Sequence, residues 1–178
     1  MNKVTPMAID ICRDCATRVA EGIRLKPYLC SAGVPTIGIG TTIYPNGTRV
    51  TMLDKEITVE QAGEYFDYYI QNHAIPVLEL LLIQRTDMQN GALLSLIYNI
   101  GATAFKNSTL FKVLNEANPD NEVIKNAFFM WNKATVKGKK QVVKGLHDRR
   151  EWESQVYLAK ICELFKPNST DYSVTEVN

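Results

Sequence analysis

Residues 36–61 read TIGIGTTIYPNGTRVTMLDKEITVEQ, and the pattern changes partway along. Through Thr36-Ile37-Gly38-Ile39-Gly40 β-branched residues alternate with glycine, and they return after Thr48. Between the two runs stands Tyr44-Pro45-Asn46-Gly47, whose Asn-Gly step supplies the positive φ angles that a tight hairpin needs. Short strands are therefore expected at about 36–43 and 48–52, forming a small antiparallel sheet. The last four residues switch to helical chemistry. In Thr58-Val59-Glu60-Gln61 the Thr58 hydroxyl can accept from a free backbone N–H while Gln61 reaches back, a capping box. A long helix should run from there to about Ala74, with Pro76 kinking or ending it. A sheet that hands over to a helical remainder makes an α+β protein.

Upstream, Ile9, Cys12, Ala16, Val19 and Ala20 recur at spacings of three and four, so residues 8–22 read as a short amphipathic helix that Gly22 stops. Residues 25–57 carry Gly33, Gly38, Gly40 and Gly47 with Pro27, Pro35 and Pro45, which suits turns between short strands. Downstream, Thr86-Asp87-Met88-Gln89 is a second capping box. It opens an apolar helix through Ala92, Leu93, Leu96 and Ile97 to Gly101. Asn107-Ser108-Thr109 opens a short helix to about Asn115, and Asn118-Pro119-Asp120 opens one through Phe128 and Trp131. A last helix is expected over about 147–164. The whole reads as one domain over 1–166. Its sheet lobe covers about 22–57, its larger helical lobe about 58–166, and a cleft lies between them, where ligands tend to sit. The polar residues 167–178 are expected to form a disordered tail.

At 178 residues, 46% hydrophobic and 22% charged, the chain can bury a sizeable core. Its net charge of only +1 argues against a dedicated nucleic-acid binder. The charge is unevenly placed: Lys133, Lys137, Lys139, Lys140, Lys144, Arg149 and Arg150 have Asp148 as the only acid among them. Such a run is either a solvated face or a surface that draws a polyanion. No apolar stretch at the N-terminus has signal-peptide length, and none approaches the roughly 18 residues of a membrane span. The chain is therefore expected to stay in the cytoplasm until something else releases it. Cys12 and Cys15 form a lone C-x-x-C with no second pair of ligands at metal spacing. With Cys30 and Cys162 they are expected to be reduced thiols, a disulfide being the alternative. Neither a metal nor a cofactor is expected.

Chemistry concentrates where the first helix meets the sheet. Glu21 closes that helix, and Cys30 and Thr36 fall on the loop and strand that follow. A sheet folding back on the helix could bring all three side chains to one side of a cleft. Glycoside hydrolysis needs a carboxylic acid to protonate the leaving oxygen and a second group to handle water or the oxocarbenium-like centre. Glu21 could be that acid if partial burial raised its pKa toward the working pH.

The segment resembles the catalytic signature of the phage-type lysozymes, glycoside hydrolase family 24: a Glu, eight residues, an Asp, five residues and a Thr. Glu21, Cys30 and Thr36 stand at those spacings, with Cys30 in place of the Asp, a variant similar to one recognised in the family. The likeness extends over Tyr44-Pro45-Asn46-Gly47-Thr48, Ile57-Thr58 with Gln61-Ala62, and Tyr98-Asn99-Ile100-Gly101. Beyond these it covers Phe105, Asn107-Ser108-Thr109-Leu110, and Gly145-Leu146 with Arg149-Arg150 and Glu153. The resemblance implies a lysozyme-like fold and hydrolysis of the β-1,4 bond between N-acetylmuramic acid and N-acetylglucosamine in peptidoglycan. The protein would be an endolysin that acts as a monomer and reaches the wall through a separate phage pore protein, a holin. It implies that Glu21 is the general acid, that Thr36 holds the attacking water, and that Tyr98, Asn99 and Ser108 line the glycan cleft. Thr42, just beyond the Thr36 strand, is expected to line it too, and Arg149 resembles the arginine that pairs with the acid. Cys30 is left with three roles: nucleophile, base for water, or positioning group, since a free thiol is only a few per cent thiolate at neutral pH. A lytic transglycosylase, which uses one Glu and no bound water, and a non-catalytic wall-binding protein are the alternatives.

Overall fold

The computed structural model describes residues 1–159 except Glu21, Ser31, Ala32 and Lys137. Glu21, Lys137, Cys162, the far end of the expected last helix and the expected 167–178 tail thus lie outside the described residues.

Helix α1 (Pro6–Asp14) starts where the Thr5 hydroxyl accepts from Ala8 N and Pro6 fills the first turn, where a missing N–H costs nothing. It buries Ala8, Ile11 and Cys12, and then loosens into a wider π-helical turn, Cys15–Ala20. Strands β1 (Arg24–Leu29) and β2 (Pro35–Gly38) pair antiparallel, Tyr28 opposite Thr36 and Leu29 opposite Pro35. The expected strands at 36–43 and 48–52 are therefore corrected. The Tyr44–Gly47 turn forms, with Gly47 N donating to Tyr44 O at 2.9 Å. Around it, however, the chain makes only single bridges, Ile37 to Thr41 and Ile43 to Arg49. Gly38 (φ +65°) turns the chain back on itself after four residues, and the main partner of the Thr36 strand becomes the segment before it. A Cβ on Gly38 would stand 3.1 Å from Ala62 Cβ, so the sheet rests directly on the next helix.

That helix, α2 (Val59–Tyr69), opens with the expected capping box: Gln61 N donates to Thr58 Oγ1 at 3.2 Å and Thr58 N to Gln61 Oε1 at 3.0 Å. It does not stop at Pro76. A π-helical turn, Ile70–Ala74, leads into α3 (Ile75–Leu78), and Ile75 N donates to Ile70 O, five residues back. The wider turn lets the chain pass a residue that has no N–H and whose ring crowds the preceding turn.

Helix α4 (Asp87–Ile100), capped by Thr86 and Gln89 as expected, is buried continuously from Asn90 to Ile97. A helix apolar on all sides belongs at the centre of a fold, and α4 packs against both α1 and the last helix. The α1 crossing is so close that a Cβ at Gly91 would lie 2.4 Å from Ile11 Cγ2, so only glycine fits there. Gly101 ends α4. Short helices α5 (Ala102–Lys106) and α6 (Thr109–Leu114) follow, then α7 (Asn121–Phe129), capped by Asp120. The basic run starts in an exposed hairpin of β3 (Lys133–Val136) and β4 (Lys139–Val142), and α8 (Lys144–Tyr157) then begins three residues earlier than expected.

One core joins the parts. Ile37, Ile39, Val50 and Ile57 from the sheet side pack with Ile11, Phe66, Leu93, Phe105 and Phe128 from the helices.

Candidate active site

Where β2, α4 and α8 meet, a cavity of about 180 Å³ is lined by Cys30, Thr36, Thr42, Tyr98, Asn99 and Arg149, with Ala16, Ile39 and Gly40 between them. Six residues singled out in the sequence thus converge. Ser108 is not among the lining residues: it is buried, and its hydroxyl accepts from Phe111 N at 3.0 Å to cap α6. Glu21 lies outside the described residues, between the π-helical turn that ends at Ala20 and Gly22, whose φ is +68°.

Each lining side chain is set by its neighbours. Thr36 is buried, and its hydroxyl donates to Val34 O at 2.8 Å. Its single hydrogen is thereby committed, and only its lone pairs can serve a guest. Cys30 is a half-buried free thiol at the turn between β1 and β2, its N–H donating to Val34 O at 3.0 Å. Tyr98 forms the floor, its ring 4.7 Å from Phe66 and 5.2 Å, edge-on, from Tyr69. Burial pushes its hydroxyl far above the usual phenol range, so it stays a neutral donor.

The wall behind them is ionic. Glu153 is fully buried between two arginines, with Arg149 Nε at 3.1 Å from Oε1 and Arg150 Nε at 2.7 Å from Oε2. Ser95 donates to Glu153 Oε1 at 2.6 Å, while Arg149 Nη2 donates to the Ser95 carbonyl and hydroxyl at 3.0 and 3.1 Å. Arg150 Nη1 donates to Asn99 Oδ1 at 3.1 Å, which leaves the exposed Asn99 amide group its NH₂ donors. Two arginines and one carboxylate leave the cluster with one net positive charge, and among the described residues Arg149 Nη1 makes no hydrogen bond. Sequence reading placed Arg149 here but not Ser95 or Arg150. Their signal is faint: a serine inside the apolar Leu94–Leu96 run, and a carboxylate three and four residues past two arginines on one helix.

Cys12 and Cys15 are buried behind this cluster as free thiols. Burial raises both, Cys15 to about 12, so they are packing groups rather than nucleophiles. Cys15 Sγ lies 3.1 Å from Ser95 Oγ, whose own hydrogen goes to Glu153. No group of three or more acidic, Cys or His side chains suited to a metal exists among the described residues.

The chain matches the Phage lysozyme family across residues 18–153. It is 36% identical over 137 residues to the endolysin of Acyrthosiphon pisum secondary endosymbiont phage 1, covering 77% of this chain and 88% of that one. To the endolysin of Salmonella phage P22 it is 38% identical over 114 residues, 64% of this chain and 76% of the other. The solved endolysin from Escherichia coli O157:H7 phage FAHEc1 superposes with a TM-score of 0.73 at 35% identity, over 89% of this chain and 95% of that one.

Proposed function

The chain belongs to the phage lysozyme family, and on that premise we propose that it hydrolyses the β-1,4 bond between N-acetylmuramic acid and N-acetylglucosamine by direct attack of water. It is a cell-wall-degrading endolysin with lysozyme chemistry. One observation carries the finer reading: Cys30, Thr36, Tyr98, Asn99 and Arg149, far apart in sequence, line one cavity.

In this reading the chain is the glycoside hydrolase family 24 variant with Cys for the second acidic residue. Glu21 gives its proton to the leaving oxygen, and Arg149, whose Nη1 makes no hydrogen bond among the described residues, holds it in place. Thr36 accepts a hydrogen from the attacking water, because its own is spent on Val34. That leaves a water lone pair free for the sugar carbon. Cys30, at the adjoining turn, acts as its thiolate, takes the proton that water loses and becomes the thiol. Attack by water inverts the anomeric configuration, whereas a thiolate nucleophile would retain it. Tyr98, Asn99 and Thr42 hold the sugars as donors and walls. The sheet segment at about 22–57 and the helices from about 58 onward serve as the two lobes of a single domain. The named groups come from one chain, so a monomer suffices.

A carboxylate, ionised at neutral pH, can do the work assigned to Cys30, and a hydroxyl cannot. Cys30→Asp is therefore expected to keep activity within about tenfold of the parent, and Cys30→Ser to fall by about 10²-fold. The rate of fragment release from purified peptidoglycan reads this directly. Equal rates for Ser and wild type would reduce Cys30 to a packing residue.

No described helix is long and apolar enough to cross a membrane. We take access to the wall to depend on a separate pore protein, the chain waiting in the host cytoplasm. Cells expressing this chain alone should lyse only when chloroform or such a protein opens the membrane. Prompt unaided lysis would contradict that route.

A further inference from the structure

The β3–β4 hairpin is a surface that the hydrolytic reading leaves unused. Four of its residues from 133 to 142 are lysine and none is acidic, which leaves 16 basic against 19 acidic residues in the rest of the chain. All four residues of β4 are exposed, so neither of its faces packs on the body. The register sets Thr135 opposite Lys140, which puts Lys133 and Lys140 on one face and Lys139 on the other. Lys133, Lys139 and Lys140 have no ion-pair partner among the described residues, whereas Lys144 at the root is held by Asp148. A two-stranded ribbon with no buried face is marginal in water. Its root is pinned nonetheless: Val143 N donates to Asn132 O at 3.0 Å, and the His147 ring packs, tilted, 4.9 Å from that of Phe129. From Val143 to Arg149, on the cavity wall, is six residues of helix, about 9 Å. The charged arm therefore springs from the same helix that forms the cleft.

We propose that this hairpin is a cationic arm that holds the carboxylates of the peptide stems of peptidoglycan, outside the cleft that holds its sugars. The proposal rests on peptidoglycan being the substrate. Uncharged glycan offers such an arm nothing, while the stems carry free carboxylates at each repeat. Lysines on both faces suit a partner that presents anionic groups on more than one side, as a wall mesh does. Attraction of this kind is screened by salt and fades with it.

The test uses the full chain carrying Glu21→Gln, so that binding is read without cleavage, and co-sedimentation with purified sacculi from low to high NaCl. Lys139→Gln/Lys140→Gln in that background should bind about five-fold more weakly at low salt, with a shallower salt dependence. The control Lys3→Gln/Lys106→Gln, which removes the same charge from exposed sites elsewhere, should bind like the parent. On sacculi whose carboxylates have been amidated, the hairpin variant and its parent should bind alike. Equal binding of the two to native sacculi would overturn the proposal, as would an undiminished difference on amidated sacculi. Lysine-dependent binding confined to phosphatidylglycerol vesicles would also overturn it and assign the arm to membranes. Fragment release by the otherwise wild-type chain reports the hydrolase separately, so its absence beside lysine-dependent sedimentation would sink the hydrolytic reading alone.

Discussion

Replacing Glu21 with Gln is expected to slow peptidoglycan cleavage by about 10²–10⁴-fold, the usual cost of losing a general acid, while Tm stays where it was. The amide can still hydrogen-bond, but it has no acidic proton for the leaving oxygen. Everything else assigned to the cleft depends on that proton. Thr36 and Cys30 can place and activate a water, yet an alkoxide leaving group would still be a poor one without protonation. Arg149 supplies a second reason to look here, since it is a buried cation on the cavity wall that shares Glu153 with Arg150 and whose Nη1 makes no hydrogen bond among the described residues. Release of labelled fragments from sacculi, with circular dichroism on the same sample, checks both halves. A folded Glu21→Gln protein with wild-type turnover would remove the acid from this position.

The second large effect concerns stability. Glu153→Ala strips the carboxylate from between two buried arginines and removes the one ion-pair partner that each has among the described residues. Breaking a buried pair from one side costs about 3–5 kcal/mol, a fall in Tm of roughly 10 °C for a chain of this size. Because Arg149 lines the cavity and Arg150 holds Asn99, activity should fall further than the folded fraction does. Thermal unfolding followed by circular dichroism decides the matter. The double variant Glu153→Leu/Arg150→Leu should unfold at a higher temperature than Glu153→Leu alone, since it removes one of the stranded charges. An unchanged Tm for Glu153→Ala would mean that the cluster is not the buried ion triad described above.

The sequence is most legible where local chemistry decides. The capping boxes at Thr58 and Thr86, the stop at Gly101 and the turn at Tyr44–Gly47 each follow from two to four neighbouring residues, and each stands as expected. Six residues that line the cavity were also singled out in the sequence, through spacing and family likeness, although their convergence depends on long-range packing. Elements with a broken or absent period were not. Pro27 interrupts the alternation in Arg24–Leu29, so β1 gives little sign of a strand. The hairpin at 133–142 has no apolar face to announce it, and in sequence it is only a basic run. The two π-helical turns leave hydrophobic spacing almost unaltered and are visible only in hydrogen bonds. Ser108, expected at the glycan, does not line the cavity and caps α6 by accepting from Phe111 N, a use that follows from an Asn-Ser-Thr helix start.

The central claim is that water, placed by Thr36 with Cys30, cuts a muramyl bond protonated by Glu21. The measurement that tests it most directly is the identity of the first products released from purified sacculi, their mass by mass spectrometry and their initial anomer by NMR. The expected product carries a free reducing N-acetylmuramic acid end, one water heavier than a 1,6-anhydro sugar, and is formed with inverted configuration. A 1,6-anhydro end would show that no water attacks and that the chain is a lytic transglycosylase. A retained anomer, or a sugar trapped on the Cys30 sulfur, would replace water attack with a covalent intermediate.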